Sequence, residues 1–155
     1  MAGRLQDKVA LITGAGSVAE GWGNGKATAV LFAREGAKIL AADVNEEAAE
    51  ETRRLVEEEG GTCVAHTADV TDSNAVREMI DGCVSAYGRI DILHNNVGGS
   101  VPGGPVEMAE EDWDANIDLN LKSVFLTCKS ALPIMEEQGG GAIVNISTFA
   151  AFEPR

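Results

Sequence analysis

Short, β-branched apolar runs alternate with longer stretches whose apolar residues recur at helical spacing. Val9–Ile12 is the first such run and ends in the turn-forming Thr13-Gly14-Ala15-Gly16. Residues 26–35 then place Ala27, Val30 and Leu31 on one helical face and stop at Gly36. Lys38–Ala42 predicts a second strand closing on Asp43, and Asn45 caps a charged helix that runs to Glu59 and stops at Gly60-Gly61. The pattern repeats with a strand at Thr62–His66, a helix capped by Thr71 or Asp72 and running to Tyr87, and a strand at Ile90–Leu93. A Gly/Pro-rich loop spans Gly98–Pro105, one long helix is predicted over residues 110–137, and Ala142–Ile146 reads as the fifth strand.

Strict β-α alternation predicts a parallel sheet with helices on both faces. The fold class expected is therefore α/β: a doubly wound, Rossmann-like parallel sheet of five strands with its switch point between the first and fourth. Residues 1–155 read as a single cofactor-binding domain, without repeats or a linker, and with the C-terminal part of the fold lacking.

Composition narrows the chemistry. The formal net charge of −13 disfavours nucleic acid and anionic membrane surfaces. It also means that a bound phosphate must be held by backbone amides rather than by a basic patch. Cys63, Cys83 and Cys128 are far apart and form no C-x-x-C, so a metal site is not expected and a reducing, cytoplasmic setting is. Residues 1–8 lack an apolar signal segment, and no run approaches the ~18 apolar residues of a membrane span.

Ligands of such sheets bind beyond the carboxyl ends of the strands, which directs attention to the loop after the first strand. Gly14-x-Gly16-x-x-Ala19 matches a dinucleotide fingerprint, but the stretch after it does not start a helix. A helix starting near Gly25 favours a second alignment, with Gly14 to Ser17 as the first half and Gly23-Asn24-Gly25 as the second. Residues 18–22 are then an insertion, which either reshapes a pyrophosphate pocket or bulges into solvent. Asp43 lies 18 residues beyond Gly25, near the ~20 expected of a carboxylate that accepts from ribose hydroxyls and repels a 2′-phosphate. No basic residue follows it at Val44, so NAD is expected over NADP.

With these residues in order, the chain resembles the short-chain dehydrogenase/reductase family, whose glycine motif is T-G-x-x-x-G-x-G. Ala68-Asp69-Val70 is similar to the family's adenine-contacting Asp-Val pair, and Asn95-Asn96-Val97-Gly98 to its N-N-A-G. The resemblance implies that Asn120 holds a water in a proton relay. It also implies that Thr148, or Ser147 beside it, polarises a substrate carbonyl, in a stretch similar to I-V-N-I-S-S. Cofactor contacts are implied for Gly14, Ser17, Gly23, Asn24, Gly25, Asp43, Asp69, Val70, Asn96, Val97 and Gly98. The implied reaction is hydride transfer between NAD and a small-molecule alcohol or carbonyl, in a protein that is an oligomer when complete. A 3-oxoacyl-thioester reductase is a narrower alternative.

The family's Tyr, and the Lys four residues after it, have no counterpart: the one tyrosine is Tyr87, and Asp91 stands four positions on. A catalytically inactive fragment that at most binds the cofactor is therefore the other reading. His66 and His94, each at a strand end among apolar residues, are expected to pack rather than react.

Overall fold

The computed structural model describes residues 3–19 and 21–148. Its strands are β1 (Val9–Thr13), β2 (Lys38–Asp43), β3 (Thr62–Thr67), β4 (Ile92–Asn95) and β5 (Ala142–Asn145). They form one parallel sheet in the order β3-β2-β1-β4-β5, so the direction of winding reverses between β1 and β4, as the alternation predicted. The helices are α1 (Asn24–Arg34), α2 (Glu46–Glu58), α3 (Ser73–Tyr87), α4 (Glu110–Ile117) and α5 (Ser123–Glu137).

Both faces of the sheet are buried over its central strands β2, β1 and β4, and successive residues of a strand face opposite sides. Ala10, Ile12, Ile39, Ala41 and Ile92 pack with Ala29, Val30 and Val56 of α1 and α2. Val9, Leu11, Leu40, Ala42 and Leu93 pack with Val76, Met79, Leu126, Ala131 and Met135 of α3 and α5. Cys63 and Cys83 belong to these two layers as small apolar residues, and burial pushes both thiols up to about 12.

Helix entry follows the expected chemistry. Asn45 accepts from the Ala48 amide, and of the two candidates for α3 it is Asp72 that caps, accepting from Asn74 and Ala75. Tyr87 is a packing residue whose hydroxyl donates to the Ile39 carbonyl at 3.0 Å.

Two expectations need correction. The fourth strand is displaced two residues towards the C-terminus, to Ile92–Asn95, because polar Asn95 is a strand residue and not the start of a loop. It is 4% exposed, and its amide is satisfied by the Thr127 hydroxyl and by Asn145, each at 2.9 Å. Asp91, expected inside the strand, instead accepts from the Val9 amide and from Arg89 at its entrance. Burial opposes its ionisation, but these bonds outweigh it and hold the carboxyl below its ordinary range. The long helix of residues 110–137 is in turn broken by a π-helical turn at Asp118–Lys122. Asn120 sits in that turn, and its Nδ2 donates to the Asn116 carbonyl as well as to Gly99 outside the helix.

The sheet is uneven in cover. The β5 edge leaves Val144 and Ile146 partly exposed, and along the last helices Leu121, Phe125 and Leu132 face solvent, as the strand order implied. No helix among the described residues is long and apolar enough to cross a membrane.

His94 on β4 is 5% exposed, lies edge-on to Phe32 of α1, and has a buried Nδ1 without a hydrogen-bond partner. Burial lowers its pKa below 6.5, and burial likewise lowers that of His66. The unfolded chain then binds protons that the folded chain refuses. Stability is expected to be level above the unfolded value of about 6.5 and to fall as pH drops below it, by at most ~1.4 kcal/mol per pH unit for His94. Urea denaturation between pH 8 and pH 5 measures this, and His94→Leu should flatten the acid limb. A variant with an unchanged acid limb would remove His94 from the explanation.

Candidate functional site

The strand ends at the switch point open onto a cleft of about 820 Å³. Its walls come from four carboxyl ends: the glycine loop after β1, Asp43 and Val44 after β2, Ala68 to Thr71 after β3, and Asn96 to Gly98 after β4. Ala115, Asp118 and Leu119 of α4 and the π-helical turn close the remaining side.

Close backbone approach shapes the floor. A Cβ on Gly25 would collide with the Gly14 carbonyl oxygen, so only glycine lets the first turn of α1 settle against the end of β1. Gly14 itself has φ +60°, the left-handed region that glycine enters without strain. Its carbonyl also accepts from Asn96 Nδ2 at 2.9 Å, which ties the β4 loop to the same point. The helix is entered through Gly23, which brings no side-chain acceptor to the first-turn amides. Those amides and the positive end of the helix dipole are therefore available to an anion. The observed start of α1 selects the second glycine alignment, with Gly25 as the close-packing position, over the match ending at Ala19.

Asp43 buttresses the loop. One carboxylate oxygen accepts from the Gly16 amide at 2.9 Å and the other from Asn45 at 3.0 Å, leaving further lone pairs on both. Asp69 accepts from both the amide and the hydroxyl of Thr71, a local turn that sets the β3 loop and leaves the capping of α3 to Asp72. Among the described residues, the side chains lining the cleft include three carboxylates, Asp43, Asp69 and Asp118, and no Lys or Arg. An anionic ligand here must be held by amides, as the net charge suggested.

All eleven residues expected to contact a cofactor line this one cleft: Gly14, Ser17, Gly23, Asn24, Gly25, Asp43, Asp69, Val70, Asn96, Val97 and Gly98. The three residues expected to take part in catalysis do not line it. Asn120 lies just behind the wall, where its Oδ1 accepts from the Gly99 amide at 3.1 Å and its Nδ2 donates to the Gly99 carbonyl at 2.8 Å. Ser147 and Thr148 are exposed and follow β5, whose pairing continues through the Ile146 amide to the Asn95 carbonyl. Among the described residues no group of three or more His, Cys, Asp or Glu is placed to hold a metal ion.

The insertion turns largely outward, with one residue at the cleft. Trp22 projects into solvent, and Val18 is fully exposed yet contributes to the rim of the cleft.

Sequence reasoning missed several supports. Thr52 of α2 donates to the Ala15 carbonyl at 2.8 Å, and Thr13 Oγ1 accepts from the Asn96 amide. Thr127 serves Asn95 from α5. A polar residue at a core position of a helix was the one available signal for Thr52 and Thr127.

A family model for short chain dehydrogenase matches residues 8–155. The chain belongs to the short-chain dehydrogenase family. It is 43% identical over 145 residues to the 3-oxoacyl-[acyl-carrier-protein] reductase of Thermotoga maritima, covering 94% of this chain and 57% of that protein. It is 41% identical over 151 residues to the D-threitol dehydrogenase of Mycolicibacterium smegmatis, covering 96% and 55%. Among solved structures, a short-chain dehydrogenase/reductase from Burkholderia xenovorans superposes with a TM-score of 0.95 at 50% identity, over 99% of this chain and 61% of that one. A 7α-hydroxysteroid dehydrogenase complexed with NADH and 7-oxo glycochenodeoxycholic acid gives 0.91 at 36% identity, over 98% and 57%. The chain thus spans a little over half the length of the short-chain dehydrogenases it matches.

The Gly25–Gly14 contact is the most exacting feature of the site. Gly25→Ala is expected to push α1 off the sheet, to cost about 1–3 kcal/mol as an overpacked core position does, and to abolish dinucleotide binding. Chemical denaturation and calorimetric titration with NADH check both; wild-type values on both would contradict the argument.

Proposed function

We propose that this chain is the dinucleotide-binding part of an NAD-dependent oxidoreductase that transfers a hydride between the cofactor and an alcohol or carbonyl substrate. The observation that carries this reading is the gathering of eleven motif residues from four strand ends around one cleft, with Asp43 at the end of β2. The donors present fit such a cofactor. First-turn amides of α1 suit a pyrophosphate, the remaining lone pairs of Asp43 suit ribose hydroxyls, and Asp69-Val70 and Asn96 to Gly98 supply the adenine side and the floor. When bound, the nicotinamide supplies or takes up the hydride.

The chain's own residues would bind, orient and order water. Asn120, in a π-helical turn and braced on Gly99 and Asn116, is the residue proposed to order a water near the cleft wall, through the acceptor capacity its side-chain oxygen retains. Thr148 is the proposed donor to the substrate oxygen and Ser147 the neighbouring alternative, since both follow β5 next to β4. Proton transfer to or from that oxygen has no candidate among the described tyrosines. Tyr87 is committed to Ile39 and does not line the cleft, and burial raises its pKa. The 155-residue polypeptide is accordingly proposed to bind the cofactor without turning over substrate, and an assay over a panel of alcohols and ketones with NAD should stay at background.

The second reading, a 3-oxoacyl-thioester reductase, is favoured by the 43% identity to the Thermotoga maritima reductase. The exposed Leu121, Phe125 and Leu132 support an oligomer for the complete protein, and the free Cys63, Cys83 and Cys128 suit the reducing cytoplasm.

Cofactor choice follows from Asp43 and from the lack of a cation among the described lining side chains. Calorimetric titration is expected to show NADH binding tighter than NADPH by about tenfold or more, the worth of one charge-assisted hydrogen bond. Asp43→Ala should bring the two affinities together. Equal affinities in the unaltered chain, or a ratio indifferent to Asp43, would overturn the assignment.

A further inference from the structure

The insertion after Ser17 is not loose, because one of its carbonyls is tied to a buried cation. Gly21 O accepts from the Ser17 hydroxyl at 3.1 Å and from Lys26 Nζ at 3.2 Å. Lys26, in the first turn of α1, is 2% exposed, and its other partner is Glu51 of α2 at 2.9 Å, a side chain that is half exposed. Ser17 Oγ also accepts from the Gly23 amide at 2.8 Å. The ends of the insertion are thereby drawn together beside the entry to α1, with Val18 held at the rim of the cleft.

We propose that Lys26 is a positioning residue for the cofactor cleft: it fixes the insertion through Gly21 and so sets the shape of the mouth through which the pyrophosphate is reached. An ammonium withdrawn from water is tolerated only where it is paired and hydrogen-bonded, and the Gly21 carbonyl and the Glu51 carboxylate take up two of its three donors. The arrangement redefines Ser17 as well. Its single hydroxyl proton is given to Gly21 and one lone pair to Gly23, so it acts through the loop rather than by donating to a phosphate. In this picture the insertion does not merely bulge outward. It shifts the work of shaping the loop from a short glycine turn to a salt-bridged lysine, which the shorter motif spacing would not require.

The inference rests on the proposed dinucleotide site for its ligand, and the test separates the two. Without ligand, Lys26→Met is expected to speed exchange of the Gly23 amide, which Ser17 Oγ holds beside Gly21, by about tenfold, the loss of a hydrogen bond to a charged donor. Exchange in β2 should stay unchanged. With NADH as the probe, the same substitution should weaken binding about tenfold. In a chain from which residues 18–22 have been removed, it should change NADH affinity by no more than about twofold, since the partner it positions is gone. Unchanged exchange at the Gly23 amide, or an equal loss of affinity in the shortened chain, would overturn the proposal. Should Lys26→Met fail to fold, Glu51→Gln leaves the Gly21 bond in place. It is expected to speed exchange of the same amide about threefold, as the loss of one half-exposed ion pair would, and no change there would again overturn it. An unaltered chain that binds no NADH would defeat the proposed function, while the exchange measurements still decide the role of Lys26.

Discussion

The site depends on one close approach, that of α1 to the end of β1 where Gly25 meets the Gly14 carbonyl. Because no side chain intervenes, the start of the helix lies directly over the turn that leaves the strand. Asn96 grips the same carbonyl from the neighbouring strand end, so β1, β4 and α1 share a single anchor. The orientation of the first-turn amides, the breadth of the cleft floor and the reach from Asp43 to Gly16 all follow from where that contact places the helix.

Around this anchor the sheet end is held by buried polar groups rather than by apolar packing alone. Asn95 links Asn145 of β5 to Thr127 of α5, and Thr52 of α2 holds the glycine loop through Ala15. Each group is bonded, so burial strengthens the bonds and specifies one arrangement. Hydrophobic layers above and below the sheet supply bulk stability but have little directional preference. These hydrogen bonds fix the end of β4 against β5 and α5, and the loop after β1 against α2. Asn120 plays the same part for the outer wall: by bonding both backbone groups of Gly99 it fixes the β4 loop to the π-helical turn.

Electrostatically, the cleft of a strongly acidic chain presents three carboxylates and no cation among its described residues. Attraction for a phosphate must come from oriented amides, which act at short range and without a flexible charged side chain. Lys26, beside the glycine loop, is buried and paired with Glu51, so it organises the loop in place of advertising charge to solvent.

Much of this was legible in the chain itself. Strand and helix patterning determined the α/β class, the β1–β4 switch point and the helix cap at Asn45, because local propensity and fold agree there, while the choice of Asp72 over Thr71 as the cap of α3 fell to the structure. Glycine spacing and the strand-end polar residues likewise brought all eleven expected cofactor contacts to one cleft, since a doubly wound sheet directs every strand-to-helix loop to the same end. What only the tertiary structure decided are features set by partners distant in sequence. Asn95 looked like loop because its burial depends on Thr127 and Asn145. The break at Asp118–Lys122 depends on Asn120 finding Gly99, and the fate of the insertion on Lys26 meeting Gly21 and Glu51. Periodicity records which side of an element faces the core, but not which buried polar group will find which partner across it.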